Sequence, residues 1–244
     1  MTALSVNINK FALVRNARGS NQPDLLDISK KCIDYGANGI TLHPRPDERH
    51  AKISDLDPIK KLVSKFSNVE LNVEGFPSNN FIKNVIDVKP HQVTLVPDPP
   101  NSLTSSFGWD CKKNENFLKD IISKFKENKI RVSIFINPSI KTLESLQNIN
   151  TDRVELYTYD YAHNYLKNKS EAIKSYIEVS KFIKNKFPKI EFNAGHDLNL
   201  DNLKYFLKSI SNIKEVSIGH ALICDTFEFG LEKTIKKYLE ITSK

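Results

Sequence analysis

The 244-residue chain has few cysteines, no long apolar run and no apolar leader segment. Its three cysteines, Cys32, Cys111 and Cys224, lack CxxC spacing, which argues against a disulfide scaffold or a cysteine-rich zinc site. No apolar stretch approaches the roughly 18 residues of a membrane helix. The first 20 residues carry charges where a signal peptide has its apolar core. We therefore expect a cytoplasmic protein with no membrane partner.

Arginine is also scarce, although the chain is basic. The formal net charge is +7, yet only six of the 36 basic residues are arginine. Four of these six lie in two short segments, Arg15 with Arg18 and Arg45 with Arg49. The dispersed lysines are typical of a soluble surface, whereas clustered guanidinium groups suit phosphate or carboxylate. The arginine positions are therefore more informative than the net charge.

Short apolar, β-rich runs alternate with amphipathic helical patterns along the whole chain. The predicted strands are Leu4–Ile8, Gly39–Leu42, Val69–Val73, Gln92–Val96, Arg131–Ile136, Val154–Tyr157, Ile190–Asn193 and Val216–Ile218. Eight strand–helix units of about 30 residues each match the roughly 250 residues of an eight-fold β/α barrel. A doubly wound open sheet is the alternative, but no G-x-G-x-x-G follows the first run and there is no P-loop. The prediction is an α/β protein with a single (β/α)8 TIM barrel.

Capping signals place several helix boundaries. The patterns predict helices that open at Asn114, Ser170 and Asp201, a helix start at Asp57–Pro58, and a helix end just before Gly36.

One connection is long for a compact domain. Residues 97–113, PDPPNSLTSSFGWDCKK, follow the fourth predicted strand with little periodicity. Long ordered loops tend to be lids or binding loops, although a passive surface loop stays possible. No linker divides the chain, so residues 1–244 are expected to form one barrel domain with a lid or binding loop at 97–113.

In β/α barrels the catalytic groups come from the C-terminal ends of the strands. The polar residues that follow or end the predicted strands here are Asn7, Asn9, Lys10, Arg15, Arg18, His43, Arg45, Asp47, Glu48, Arg49, His50, Glu74, Thr104, Asn137, Glu155, Asn193, His196, Gly219 and His220. Their convergence predicts an active site at this end of the barrel.

Two glutamates and two histidines are the candidate acid/base groups. Glu74 and Glu155 stand inside apolar runs, where an unpaired carboxylate is costly to bury. They are candidate general bases or stabilisers of cationic intermediates, unless each simply pairs with a nearby Arg or Lys. His43 and His196 are candidates at strand ends, with a hydrogen-bonded structural imidazole as the alternative. His91 and His163 lie away from predicted strand ends, and we expect structural roles for them.

Two Gly-His pairs, Gly195-His196 and Gly219-His220, follow the last two strands. Barrels often bind phosphate there, through backbone N–H groups and the start of a helix. Arg18 and Arg45 are further anchors for phosphate or carboxylate, so the site is expected to hold more than one anionic group. The spacing of His43 and His50 is only a weak metal signal, and no metal site is predicted.

Seven segments occur together in order: VNINKFALVRNARG, GITLHPRPDERH, ELNVEGF, VTLVPD with a following LTSSFGWD, VELYT, FNAGHDLN and EVSIGHALI. Together they resemble the pyridoxine 5′-phosphate synthases, which close the pyridine ring in the deoxyxylulose-phosphate-dependent route to vitamin B6. The resemblance spans essentially the full chain.

The resemblance implies a ring-closing synthase of the transferase class. It would condense 3-amino-2-oxopropyl phosphate with 1-deoxy-D-xylulose 5-phosphate to pyridoxine 5′-phosphate, phosphate and water. It also implies two phosphorylated small-molecule substrates, no metal or organic cofactor, and a homo-octamer.

The resemblance assigns roles to individual residues. His43 and Glu74 match proton acceptors, His196 matches the proton donor, and Glu155 matches the transition-state stabiliser. The implied substrate contacts are Asn7, Arg18, Gly219 and His220 for the aminoketone phosphate, Arg45, His50 and Thr104 for the sugar phosphate, and further contacts from Asn9, Lys10 and Asp197.

Three departures from the better-known members concern the site. Asn9-Lys10 replaces Asp-His, Asp197 replaces Gly, and Tyr157 replaces His. Lys10 retains a charge for phosphate, but it relays protons near neutral pH less readily than histidine. We expect the backbone N–H of Asp197 to bind phosphate while its carboxylate turns away.

Two competing functions stay open at this stage. Another phosphosugar barrel enzyme, such as an isomerase or single-substrate cyclase, would keep the same fold and phosphate sites. A nucleic-acid-binding protein would use the +7 charge, but no aromatic residues alternate with basic clusters and no recognition motif is present.

Overall fold

Eight parallel strands form a closed barrel in the computed structural model, which describes residues 1–98 and 107–243. The strands are β1 (Ala3–Asn7), β2 (Gly39–Leu42), β3 (Glu70–Gly75), β4 (Gln92–Leu95), β5 (Arg131–Ile136), β6 (Arg153–Tyr157), β7 (Glu191–Gly195) and β8 (Ile213–Ile218). Each strand pairs with the next in the chain, and β8 closes on β1 through partners such as Leu4 and Val216. Every predicted strand overlaps an observed one, and the predicted TIM barrel is confirmed.

Helices connect the strands on the outside of the barrel. They are α1 (Asn9–Arg18), α2 (Leu25–Asp34), α3 (Ile53–Val63), α4 (Asn79–Val88), α5 (Glu115–Glu127), α6 (Leu146–Ile149), α7 (Tyr159–Ala172), α8 (Lys174–Lys186), α9 (Leu203–Ser209), α10 (His220–Phe229) and α11 (Leu231–Thr242), with a 3-10 turn at Ile140–Leu143. In the described residues, no helix is long and apolar enough to cross a membrane.

Most of the predicted helix boundaries hold to within a residue. Asn114 directly precedes α5, and Gly36 follows α2 with a φ of +105°, the left-handed conformation that ends many helices. Asn202 occupies the N-cap position of α9, one residue after the predicted Asp201.

Two helix starts were predicted wrongly. Asp57–Pro58 lies inside α3, which begins at Ile53 because the Asp55 side chain accepts the N–H of Lys52 at 2.7 Å. Ser170 lies inside α7, where Asn168 breaks the helical backbone and accepts the N–H of Glu171. In both places a side-chain cap upstream of the predicted residue sets the boundary.

The apolar core lies between the barrel wall and the helices. Alternate strand residues point outward and are fully buried, for example Leu4 and Val6 of β1, and Ile40 and Leu42 of β2. They pack against helical stripes such as that of α5, which buries Leu118, Ile121, Ile122 and Phe125. Burial of such side chains contributes about 1.5–3 kcal/mol each, so this layer carries most of the stability.

The interior of the barrel is polar instead. A middle layer of buried side chains runs from Ser5 through Thr41 and Asn72 to Thr94, joined by hydrogen bonds of 2.7–3.3 Å. The strands are therefore covered on both faces, but their inner faces carry the polar residues that reach the two ends of the barrel.

Arginine–carboxylate pairs close the N-terminal end of the interior. Arg131 binds Glu70 with both terminal nitrogens and donates its Nε–H to Gln92 at 2.9 Å. Arg153 donates to Glu191 at 3.0 Å and lies 3.7 Å from Glu215. Two of the six arginines thus stabilise the N-terminal end of the barrel, which is the end opposite to the predicted site.

Candidate active site

A cavity of about 360 Å³ opens at the C-terminal ends of the strands. Its lining includes the predicted residues Asn7, Asn9, Lys10, His43, Arg45, His50, Glu74, Glu155, His196, Asp197, Gly219 and His220. The volume suits small phosphorylated molecules. The structure therefore brings to one place all but two of the residues to which the family resemblance assigns a role, whereas the strand-end residues Arg15, Asp47, Glu48, Arg49, Asn137 and Asn193 do not line the cavity.

Arg18 and Thr104 are the two exceptions. Arg18 is the last residue of α1, is exposed, and does not line the cavity. Thr104 lies outside the described residues, as do the other residues between 99 and 106 of the predicted lid at 97–113. The contacts predicted for both residues stay predictions.

Glu74 lies near the C-terminal end of β3 and faces the cavity. Its Oε2 accepts a hydrogen bond of 3.3 Å from the side-chain amide of Asn7, at the end of β1. Burial and the nearby charges of Glu215 and Asp98 together raise the pKa of Glu74 to about 7, against the lowering effect of that hydrogen bond. A carboxyl with this pKa can both accept and release a proton near neutral pH.

Glu155 lies deeper, in the middle of β6, and is only 2% exposed. Its Oε2 is 3.5 Å from the hydroxyl of Thr94. Burial, followed by the charges of Glu74 and Glu215, raises its pKa well above the ordinary value. Neither Glu74 nor Glu155 forms an ion pair within the described parts of the chain, so the alternative of simple pairing with Arg or Lys is not observed there.

His43 follows β2, and its backbone is fixed by a hydrogen bond to the side chain of Asn9. The Asn9 side-chain oxygen accepts the backbone N–H of His43 at 2.8 Å. Burial lowers the pKa of His43 to about 3, helped by the charges of Arg45, His50 and Arg49. The imidazole is therefore neutral at physiological pH, which suits a proton acceptor.

The loop after His43 places the side chains of Arg45 and His50 at the cavity. Arg45 is 4% exposed and lines it, and His50 lies beside it with a pKa lowered to about 4 by burial and by the charges of Lys10, Arg49 and Arg45. The Asn16 amide donates to the carbonyls of residues 48, 49 and 50, which fixes the loop on α1.

Arg15 has a structural role. Its guanidinium binds both oxygens of Asp55 at 2.7 Å and 2.9 Å, and Asp55 caps α3. This bidentate pair attaches α1 to α3, so Arg15 belongs to the scaffold of the site.

A tight turn after β7 presents His196 and Asp197. Both residues have positive φ, +90° and +58°, which is unusual for side chains other than glycine. The residue before them is Gly195, and there is no room for a side chain at this position. An added Cβ would lie 2.4 Å from Oε1 of Glu155. The carboxylate of Asp197 lies 3.2 Å from Nδ1 of His196, next to the cavity.

The start of α10 forms the opposite wall. Gly219 is its N-cap and His220 its first residue, and both line the cavity. A Cβ on Gly219 would lie 3.2 Å from the Asn7 side chain. The unpaired N–H groups of a helix start favour an anion here.

Residues 107–113 return to the barrel through Gly108 and Trp109. The N–H of Gly108 donates to the Asn137 side chain at 3.0 Å, and the Trp109 indole donates to the carbonyl of Leu95 at 2.9 Å. A Cβ on Gly108 would lie 2.3 Å from backbone atoms at residues 136 and 137. Asn137 therefore anchors this loop, whereas the strand-end pattern had suggested a site residue.

Several cavity residues were not predicted. Val96, Phe135, Tyr159, His163, Leu198, Ser217 and Ala221 also line it. We expected only a structural role for His163, but His163 also lines the cavity. Its ring stacks on that of Tyr159 with 3.8 Å between the ring centroids, and both side chains reach the cavity from α7. His91 does serve the structure, since its Nδ1 accepts the N–H of Leu71 at 2.9 Å.

The arrangement combines acid/base groups with anion anchors. Two carboxyls with raised pKa, a neutral imidazole and a second imidazole beside a carboxylate share one cavity with Arg45, Lys10 and a helix start. Such a site can move several protons on a bound phosphate ester. Among the described residues, no group of three or more His, Cys, Asp or Glu side chains is arranged to hold a metal ion.

Solved structures with the same fold include two enzymes named for phosphorylated substrates. Phosphoribosyl anthranilate isomerase superimposes with a TM-score of 0.62 at 13% identity, over 100% of this chain and 99% of that one. The 3-keto-L-gulonate-6-phosphate decarboxylase of Vibrio cholerae gives 0.63 at 10% identity, over 99% and 97%. At these identities the similarity concerns the fold alone.

The sequence comparisons are far more specific. A family model described as pyridoxal phosphate biosynthesis protein PdxJ matches residues 4–244. Pyridoxine 5′-phosphate synthase of Cytophaga hutchinsonii is 51% identical over 244 residues, which is 100% of both chains. The enzymes of the same name from Christiangramia forsetii and Parabacteroides distasonis are 47% and 48% identical, over 99% and 98% of both chains. With its barrel and its cavity, this chain belongs to the PdxJ family of pyridoxal phosphate biosynthesis proteins.

Proposed function

We propose that the chain is a pyridoxine 5′-phosphate synthase. It condenses 3-amino-2-oxopropyl phosphate with 1-deoxy-D-xylulose 5-phosphate and releases pyridoxine 5′-phosphate, inorganic phosphate and water. The chemistry uses acid/base groups of the protein and needs no metal or organic cofactor. The observation that carries the proposal is that two carboxyls, Glu74 and Glu155, share one cavity with His43 and His196 and form no ion pair within the described residues.

The reaction needs more than one proton transfer at a single bound intermediate. The amine attacks the ketone, and the resulting carbinolamine loses water, which needs a base and then an acid. Enolisation removes a proton from carbon, and ring closure joins carbon to carbon with loss of water. A site with several groups of shifted pKa can serve these steps in turn.

Each acid/base group has a proposed place in this sequence. Glu74 takes protons at the amine end, and neutral His43 takes them at the sugar end. His196 is the acid that helps water leave. Glu155, the most deeply buried of the four groups, stabilises positive charge on the intermediate, since a bound cation favours the ionised form of its carboxyl against the burial that raises its pKa.

The phosphate groups need two separate anchors. The start of α10 at Gly219 and His220, with Asn7 beside it, is proposed to bind the aminoketone phosphate. Arg45 and His50, with Lys10, are proposed to bind the sugar phosphate, and the charges of Arg45 and Lys10 neutralise it as it leaves. Arg18 and Thr104 keep the contacts that the family resemblance implies.

The decisive experiment mixes the purified protein with both substrates and follows pyridine absorbance and phosphate release together. Both signals should rise only when the two substrates are present. Product formation from one substrate alone would instead indicate another phosphosugar enzyme, an isomerase or cyclase. Absence of both signals from a folded protein with both substrates would refute the proposal.

We also propose that the chain assembles with copies of itself, as an octamer. Exposed apolar side chains on neighbouring helices support this: Leu13 and Val14 on α1, Leu26 on α2, and Phe227 on α10, the last 76% exposed. Such a group of apolar side chains marks an association surface. Native mass spectrometry should give an octamer, and a monomer at micromolar concentration would contradict it.

A further inference from the structure

The turn after β7 holds a carboxylate against the imidazole that we propose as the acid. Oδ2 of Asp197 lies 3.2 Å from Nδ1 of His196, within reach of a charge-assisted hydrogen bond. The two side chains are 29% and 15% exposed, so the pair is largely shielded from bulk water. In an extended strand, adjacent side chains point to opposite faces and would not meet in this way.

The backbone is held in the shape that brings them together. His196 and Asp197 both adopt positive φ, a conformation that neither residue type prefers. The buried hydroxyl of Thr158 contacts the carbonyls of Gly195, at 2.8 Å, and of His196. The buried amide of Asn202 donates to the carbonyl of Asp197 at 3.2 Å. These contacts from two neighbouring elements stabilise the turn.

Aromatic rings enclose the imidazole on its other sides. Tyr157 meets His196 edge-on at 4.9 Å between ring centroids, and Tyr159 does so at 5.8 Å. Tyr159 stacks on His163, whose Nδ1 is 3.8 Å from Oδ2 of Asp197. The carboxylate therefore lies between two imidazoles, and the nearer one lines the cavity beside the proposed acid/base carboxyls.

The charges around the turn keep Asp197 ionised. The hydrogen bond from His196 lowers the pKa of Asp197, and the charges of His196, His163 and His220 lower it further against the effect of burial. Among the described residues, Glu155, Tyr157 and Tyr159 are further titratable groups beside the turn, and Asp160 acts on Tyr157.

We propose that Asp197 is a positioning residue for His196. Its carboxylate accepts the Nδ1–H of the imidazole, which fixes one ring orientation and turns Nε2 toward the substrate. At the dehydration step His196 acts as the imidazolium: the Nε2 proton goes to the departing hydroxyl, which leaves as water, and the remaining Nδ1–H stays hydrogen-bonded to Asp197. This deepens the proposed function, because it rests on His196 as the acid of that reaction. The carboxylate points toward His196, and the expectation that it turns away from a bound phosphate stays a prediction.

Asp197→Asn and Asp197→Gly separate the parts of this role. Both replacements tolerate positive φ, so the turn is kept. The Asn variant keeps an oxygen that can accept the Nδ1–H but loses the charge, whereas the Gly variant loses both. Asp160→Asn is the matched control, since it removes a nearby negative charge on α7 that does not contact His196.

Two readouts test the proposal. Nitrogen-15 NMR of the histidines in the resting protein should show His196 with its proton on Nδ1, and Asp197→Gly should shift the population toward Nε2–H. In the two-substrate assay, kcat of Asp197→Gly should fall about tenfold, with KM within threefold of the parent. Asp197→Asn should show a smaller fall, and Asp160→Asn none.

Other outcomes would overturn it. An unchanged tautomer in Asp197→Gly would show that the carboxylate does not set the ring. A change in KM alone would show that Asp197 acts on phosphate binding and not through His196. Because the NMR measurement needs no turnover, failure of the proposed function would appear separately, as loss of activity in the parent protein with the tautomer still in place.

Discussion

The two ends of the barrel interior use the same residue types in opposite ways. At the N-terminal end, burial would raise the pKa of Glu70, but the hydrogen bond and charge of Arg131 outweigh it and the pKa falls. Glu191 behaves likewise beside Lys214 and Arg153. At the C-terminal end, Glu74 and Glu155 have no such partner in the described chain, and their pKa values rise.

Glu215 shows that burial decides the result when pairing is imperfect. It lies at the N-terminal end, 3.7 Å from Arg153, yet burial raises its pKa against the charges of Arg153 and Arg131. Its own charge also raises the pKa of both Glu74 and Glu155. The comparison teaches that ion pairing makes a buried glutamate structural, whereas its absence leaves the carboxyl free to exchange protons.

The largest effect is expected from Glu74→Gln. Loss of the carboxyl removes a general base without changing its size, so kcat should fall about a thousandfold. The measurement is product formation from both substrates. Glu178→Gln on the outer helix α8 is the matched control and should leave kcat unchanged. Near-normal turnover by Glu74→Gln would remove Glu74 from the mechanism.

A methyl group at position 195 tests the other carboxyl without replacing it. In Gly195→Ala the new Cβ would meet Oε1 of Glu155 at 2.4 Å and force it aside. We expect kcat to fall about a hundredfold and the free energy of unfolding to fall by about 1–3 kcal/mol. In Gly230→Ala, where nothing lies within 4 Å but φ is +78°, only stability should fall. Full activity of Gly195→Ala would mean that the position of Glu155 is unimportant.

Arg153→Met should have the reverse pattern. It leaves Glu191 and Glu215 without their guanidinium, so the free energy of unfolding should fall by about 3 kcal/mol in denaturant titrations. The kcat of the folded fraction should stay within about threefold, because no proposed catalytic group is touched. Lys214→Met removes an exposed partner of Glu191 and should cost under about 1 kcal/mol. A large fall in kcat of folded Arg153→Met would contradict the view that the N-terminal end of the barrel is structural and the C-terminal end catalytic.

The raised pKa of Glu74 should also make the free energy of unfolding depend on pH. A carboxyl whose folded pKa is raised from 4.5 to about 7 favours the folded state below pH 4.5 and loses that contribution as the pH rises through 7. The loss amounts to up to about 3 kcal/mol. Glu74→Gln should therefore gain stability over the parent between pH 5 and 8, as measured by urea unfolding. Parallel curves for the two proteins would contradict the raised pKa.

Much of the architecture was predictable because it depends on local patterns. Short apolar runs at regular spacing identified the strands, and strand ends identified most of the cavity lining. The two wrong helix starts came from caps by Asp55 and Asn168, whose side chains compete locally with the backbone and are not distinguished by periodicity.

Other features depend on three-dimensional proximity. His163 lies 33 residues before His196, and only the packing of α7 beside the β7 turn brings both to one carboxylate. The arginine–carboxylate pairs at the N-terminal end of the barrel could not be predicted from the sequence for a similar reason. Arg131 and Glu70 begin different strands and meet only in the closed barrel. A motif match assigned Arg18 a substrate contact, but the match carries no information on which way α1 presents it.

The central claim is that Glu74 carries an exchangeable proton near neutral pH because it is buried with no cationic partner in the part of the chain that the structure describes. Carbon-13 NMR of the glutamate carboxyls, with Glu74→Gln to identify the resonance, follows its titration directly in the resting protein. The titration midpoint of Glu74 should lie near pH 7. A midpoint near the ordinary value of 4.5 would contradict the account, because both ends of the barrel would then hold ordinary ionised carboxylates.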